Sequence, residues 1–258
     1  MKLTEIGHQK KGRSLISAKP LIKRQDSNGN HKDLRFCIIQ LIPLPLPLTP
    51  YFSYTTDSPI RPPNMSTRLQ RALATIDAAH SEDPSKTTLD GIEKPYELHY
   101  AERCTHHLTA RAPNASEVLQ LAVRAQHLKR WEIPRASYPM TRPGYHAWRT
   151  FLKKRQGELA AQMCLEAGYS EEETRRIAAL VRKEDLKVDE ETKALEDVAC
   201  LVFLEDQFEE FEQTVDEEKI IGILRKTWAK MSEEGRRLAL EMKMEGRPKE
   251  LIEKALAG

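Results

Sequence analysis

Between Ala125 and Arg149 one short stretch of the chain carries Gln126, His127, Arg130, Arg135, Arg142 and Arg149, interleaved with Trp131, Tyr138, Tyr145 and Trp148. Guanidinium groups present planar donor forks that match phosphate and carboxylate oxygens. Several of them on one stretch predict capture of an anion, with one or two spent on holding the stretch itself in place. Trp131 and Trp148 are read as packing anchors rather than a base-stacking platform. His127 is expected to handle a proton. A second group lies far away in sequence. Asp197 falls in line with Leu201, Leu204 and Phe208 at helical spacing, so its carboxylate is aimed into a core and must be paired there or bind a metal. Lys183, in VRKEDL, is the remaining candidate for the site. His127 and Asp197 are thus the expected catalytic pair, and the expected ligands if a divalent transition metal is bound. Gln126, Arg130, Arg135, Arg142, Arg149 and Lys183 are the expected substrate contacts.

The elements that must position these groups read as helices. Apolar residues recur at helical spacing at Val118, Leu121, Ala125 and Leu128, which predicts a helix over about 117–131. On its second face Leu119 and Val123 give way to Gln126 and Arg130, as at the rim of a pocket. Pro134, Pro139 and Pro143 then forbid a continuous helix, and one resumes near His146. Ser170 with Glu173 forms a capping-box pattern for the helix through TRRIAALVRKE. Asp189 can cap the long apolar helix that carries Asp197. No segment shows the strict alternation of a strand, so the expected fold is an all-α compact helical bundle over residues 65–258.

The leader differs in kind. Residues 1–64 carry a net charge of +6 and eight of the fifteen prolines, against a net charge of −4 for the remainder. Such a composition predicts a disordered basic leader. Read as an upstream extension, it leaves Met65 as the start of a cytoplasmic protein; read as a presequence, it would direct the chain to mitochondria. Its apolar run from Cys37 to Leu48 is too short and too proline-broken to span a membrane. The mildly acidic body argues against a broad nucleic-acid surface, leaving a small phosphorylated or acidic ligand, or the end of a tRNA. Cys37, Cys104, Cys164 and Cys200 form no CxxC pair, which excludes a zinc ribbon. No P-loop, dinucleotide fingerprint or GxSxG elbow is present. His99, Glu102 and His106 share a helical face but do not make an HExxH motif.

RAQHLKRWEIPRASYPMTRPGYHAWR, GYSEEETRRIAALVRKEDL and LEDVACLVFLEDQFEEF, in that order, resemble a family described as a domain of unknown function, over roughly Ser66 to Leu256. Some members of that family carry the label glutamyl-tRNA synthetase, but this chain has no HIGH-type motif and no Rossmann-like strand pattern. More remotely, the layout is similar to the HD-type metal phosphohydrolases, with His99, His127 and Asp197 in the places of their ligands. That resemblance implies an HD-like fold and a phosphohydrolase acting on a small phosphorylated compound. Leu128 stands where the His-Asp doublet has Asp, and Gln156 where the family motif has His. These departures support a rival expectation, a metal-free module that binds an anion, a nucleotide or tRNA.

Overall fold

A computed structural model describes residues 24–25, 66–89, 91–208, 213 and 215–257. Nearly all of the expected leader lies outside these residues. Thr67 starts α1 (Arg68–Ser81) with a capping box to Gln70. Next comes a hairpin that helical periodicity did not predict, β2 (Lys86–Leu89) with β3 (Ile92–Pro95), joined antiparallel with Leu89 opposite Ile92. The intervening Asp-Gly pair is a preferred two-residue hairpin connection, and Gly91 has φ +81°. That signal was present in the sequence, but four-residue strands are too short to show alternation. Arg24–Gln25, β1, adds a two-residue antiparallel edge to β2.

The body is helical: α2 (Tyr96–Arg111), α3 (Glu117–Arg124), α4 (Arg142–Glu166), α5 (Glu171–Arg182), α6 (Glu190–Val202), α7 (Glu217–Lys230), α8 (Glu233–Glu241) and α9 (Gly246–Leu256). Ser170 and Glu173 form the expected capping box at α5, and Asp189 caps α6 through the Thr192 amide. Pro143 sits in the first turn of α4, where its missing N–H costs nothing, so this helix begins before His146.

Two apolar cores share α6. Leu195 and Val198 join Ile76, Leu121, Leu128 and Ile177 in the first, while Leu201 and Leu204 join Phe208, Ile220 and Leu251 in the second. α6 continues into a π-helical turn, Phe203–Gln207, whose acidic residues are held from α2: Arg103 and His107 bond Glu205, and His99 approaches Asp206 to 3.4 Å. The architecture is all-α, as the periodicity predicts, with the hairpin as its β element among the described residues.

Candidate functional site

α3 stops at Arg124, about two turns short of the end predicted near residue 131, because the backbone turns left-handed at His127 (φ 64°) and Lys129 (φ 49°). Such conformations cost on the order of 1 kcal/mol or more for residues other than glycine and persist only where surroundings impose them. Here the surroundings are buried groups. The His80 ring pairs with the Arg124 carbonyl at 2.9 Å and lies 3.4 Å from Glu97, while Glu97 accepts the Trp131 amide at 3.0 Å. Burial pushes the Glu97 carboxyl up, against the pull of His80. Leu128, fully buried, pins the turn from the other side. The unwound segment therefore presents Gln126, His127 and Arg130 together instead of winding them around a helix.

α4 supplies the facing wall. Arg149, Leu152, Lys153 and Gln156 follow one another at helical spacing and line a cleft with Gln126, His127, Arg130, Val181 and Lys183. The cleft holds about 30 Å³ of room and opens to solvent. Lys183 reaches it because its left-handed backbone (φ 59°) ends α5 there. Of the residues expected from the sequence, the fold thus brings together Gln126, His127, Arg130, Arg149 and Lys183.

Positive charge dominates the cleft. Lys183 Nζ bonds Glu196 Oε2 at 2.5 Å, and Lys230 lies 3.7 Å from the other carboxylate oxygen. Burial opposes ionisation of Glu196, but the attraction and hydrogen bond of Lys183, with Lys230 and Lys153, hold its carboxyl down at about 2. Arg130, Arg149 and Lys153 have no carboxylate partner among the described residues. Arg130 instead donates to His127 Nε2 at 3.1 Å and lies over the Trp148 ring, 4.9 Å from its centroid. Burial, then the charges of Lys183 and Arg149, lower the Lys153 pKa. Burial also lowers that of His127 well below its ordinary value, helped by Arg130, Arg149 and Lys183, so the imidazole is neutral at pH 7. The ring stacks on Tyr100 with centroids 4.1 Å apart. Because guanidinium only donates, Nε2 of His127 is the acceptor and Nδ1 carries the proton.

Gln156 is the most informative member. Only 7% exposed, it holds a buried side-chain nitrogen, Nε2, with no hydrogen-bond partner among the described residues. A buried amide donor left unmade costs about 1–3 kcal/mol. The atom belongs to the same cleft as Arg130, Arg149 and Lys153.

The other expected residues lie elsewhere. Arg135 spends its donors on the carbonyls of Tyr138, Pro139 and Thr141, tying down the proline-rich loop. Arg142 is exposed at the first residue of α4. Asp197 is fully buried, as its alignment predicts, but it is bonded to Arg111 and Ser232 and does not line the cleft. Arg111 Nε lies 2.7 Å from its Oδ2, and Ser232 donates its amide to Oδ1 and its hydroxyl to Oδ2. The metal set expected of His127 and Asp197 does not fit this arrangement: Asp197 is saturated by protein donors, and Arg130 occupies Nε2 of His127. Among the described residues no group of three or more His, Cys, Asp or Glu side chains could hold a metal ion.

The sequence alone does not point to Lys153 or Glu196, and it singles out Gln156 only as a departure from the motif of the resembling family. Lys153 had a signal, since it lies one turn after Arg149 on a helix already identified. No helix of the described residues is long and apolar enough to cross a membrane. The family described as "Domain of unknown function (DUF4202)" matches residues 70–252. No curated protein and no solved structure matches the chain.

Proposed function

The chain belongs to the DUF4202 family, and from that premise we propose that it binds a small phosphorylated ligand, without a metal, in the cleft between the unwound end of α3 and the face of α4. One observation carries this reading: among the described residues Arg130, Arg149 and Lys153 form no ion pair with a carboxylate, and they line one cleft with the partnerless amide of Gln156. Like charges gathered in a partly dehydrated cleft repel one another, and an anion relieves the repulsion while accepting the amide. Glu196 keeps Lys183 in reserve at the rim. Titrating the full chain calorimetrically with inorganic phosphate and pyrophosphate tests the reading. Saturable binding that is lost in Arg149→Ala with Lys153→Met supports it; no saturable binding of either anion ends it.

A second reading adds turnover, phosphoester hydrolysis at the same cleft, and rests on His127. Its neutral imidazole is held on a strained backbone beside the cations, suited to moving a proton once an ester is bound. Hydrolysis of p-nitrophenyl phosphate that disappears in His127→Asn would favour this reading. Binding without turnover leaves the chain a binding module.

A further inference from the structure

From Arg142 to Gln156 the sequence of α4 carries five lysines and arginines and no acidic residue. These cations are not equivalent. Lys154 pairs with Glu158 at 3.9 Å and Arg155 pairs with Glu132, whereas Arg142, Arg149 and Lys153 form no ion pair among the described residues. At 3.6 residues per turn the unpaired three fall, with His146 and Gln156, within an arc of about 80°, and Lys154 and Arg155 lie outside it. The unneutralised charge of this helix is therefore one stripe, a single residue wide.

Along that stripe the helix sinks into the protein. Arg142 and His146 are exposed, Arg149 and Lys153 are half-buried where they line the cleft, and Gln156 is buried. Ala160 and Cys164, next on the same face, belong to the first apolar core. The stripe is thus open to solvent at the start of α4 and closed by the core beyond Gln156, whose partnerless amide stands at the closed end. From Arg142 to Lys153 it runs about 16 Å along the helix axis. One phosphate in the cleft leaves its outer half unused.

The anion that fills such a stripe is a chain of phosphates with a free end. A nucleic-acid strand carries one charge per about 3.4 Å of axis at duplex spacing, so about five phosphates cover the distance. A single row of cations matches one backbone rather than two, and the net charge of −4 over residues 65–258 confines the contact to that row. A terminal monoester carries about −1.5 to −2 at pH 7, more than the singly charged diesters behind it, and the closed end is where Arg130 joins Arg149 and Lys153.

We infer that α4 receives the end of a single-stranded nucleic acid, its terminal phosphate in the cleft at Arg149, Lys153 and Gln156 and its backbone running out over His146 and Arg142. This rests on the phosphate-binding reading above and extends it from a small ligand to a strand end, held without regard to base sequence.

Calorimetric titration of the full chain with pentathymidylate phosphorylated at both ends, the same strand without terminal phosphates, and inorganic phosphate tests it. The phosphorylated strand is expected to bind about tenfold or more tighter than either of the others. Arg142→Ala is expected to weaken strand binding several-fold and to reduce the slope of log affinity against log salt by about 0.7, with inorganic phosphate binding unchanged. Lys154→Ala, on the paired side of the helix, is expected to leave both near wild type. If the phosphorylated strand binds no tighter than inorganic phosphate, or if Arg142→Ala leaves its affinity and salt slope unaltered, the inference is overturned and the phosphate reading stands. Equal binding of the two strands overturns the terminal-phosphate assignment, and an equal loss in Lys154→Ala overturns the stripe. Tighter binding of inorganic polyphosphate than of the strand overturns the choice of nucleic acid. If neither the strand nor inorganic phosphate binds, both readings fail.

Discussion

Ser232 donates its hydroxyl to Asp197 Oδ2 at 2.5 Å and its amide to Oδ1 at 2.8 Å, so the N-terminus of α8 is fastened to a carboxylate buried in the middle of α6. Arg111, at the end of α2, closes the same group from the other side at 2.7 Å. Three helices are thereby joined at one point between the two apolar cores. The same Ser232 accepts from the Gly235 amide as the cap of α8, so a single hydroxyl serves both helix initiation and the buried ion pair.

Removing the carboxylate should be costly. Asp197→Ala leaves the Arg111 charge and the Ser232 donors partly buried without partners, a loss of about 3–5 kcal/mol. Urea denaturation monitored by circular dichroism checks this. A loss below about 1 kcal/mol would show that the triad contributes little. Phosphate binding by the folded fraction is expected to persist, because Asp197 does not line the cleft.

Two glycines should respond in opposite directions. A Cβ at Gly235 would lie 2.4 Å from Asp197 Oδ1, on a carboxylate that cannot move without breaking its bonds, so Gly235→Ala should destabilise by about 1–3 kcal/mol. At Gly222, inside α7, a Cβ meets nothing within 4 Å, and alanine there should stabilise by about 0.5–1 kcal/mol. Midpoints of urea unfolding for the two variants decide the sign of each.

Lys153→Met should stabilise the fold by about 0.5–2 kcal/mol, the range of many site-relieving substitutions, while weakening phosphate binding. The reason is that Lys153 is half-buried among like charges and has no carboxylate partner among the described residues. A cation held for structural reasons would behave oppositely. Thermal melting with and without phosphate distinguishes the two, and a lowered melting temperature without ligand would count against the cleft as a binding site.

Glu196 links the cleft to pH. Its folded carboxyl lies at about 2, below the ordinary glutamate value, so the stability it contributes is present above pH ~4.5 and is lost as pH falls towards 2. Glu196→Gln should therefore lower stability at pH 7 and flatten the acid limb of the stability profile between those limits. It should also free Lys183 and strengthen phosphate binding several-fold. An unchanged acid limb, measured by urea titrations from pH 2 to 7, would refute the assigned role.

The amino-acid sequence by itself determined the helices. Period-3.6 apolar stripes, the Ser170–Glu173 capping box and the Asp189 cap act within one or two turns, so residues close in sequence suffice to express them. It also revealed the charged end of α3, because the apolar stripe through Leu119 and Val123 gives way there to Gln126 and Arg130. It did not determine where α3 unwinds. That is fixed by His80 and Glu97, brought from α1 and α2, which bond the chain at Arg124 and Trp131.

Nor could the sequence decide which acid serves the cleft. Glu196 and Asp197 are neighbours in the chain, yet about 100° of helical rotation separates them. The packing of α6 against α2 and α8 turns Asp197 to Arg111 and Ser232, and leaves Glu196 to Lys183 and the cleft. Periodicity shows that a carboxylate is buried; only the tertiary packing of the helix supplies its partners, because those partners come from elements far away in sequence.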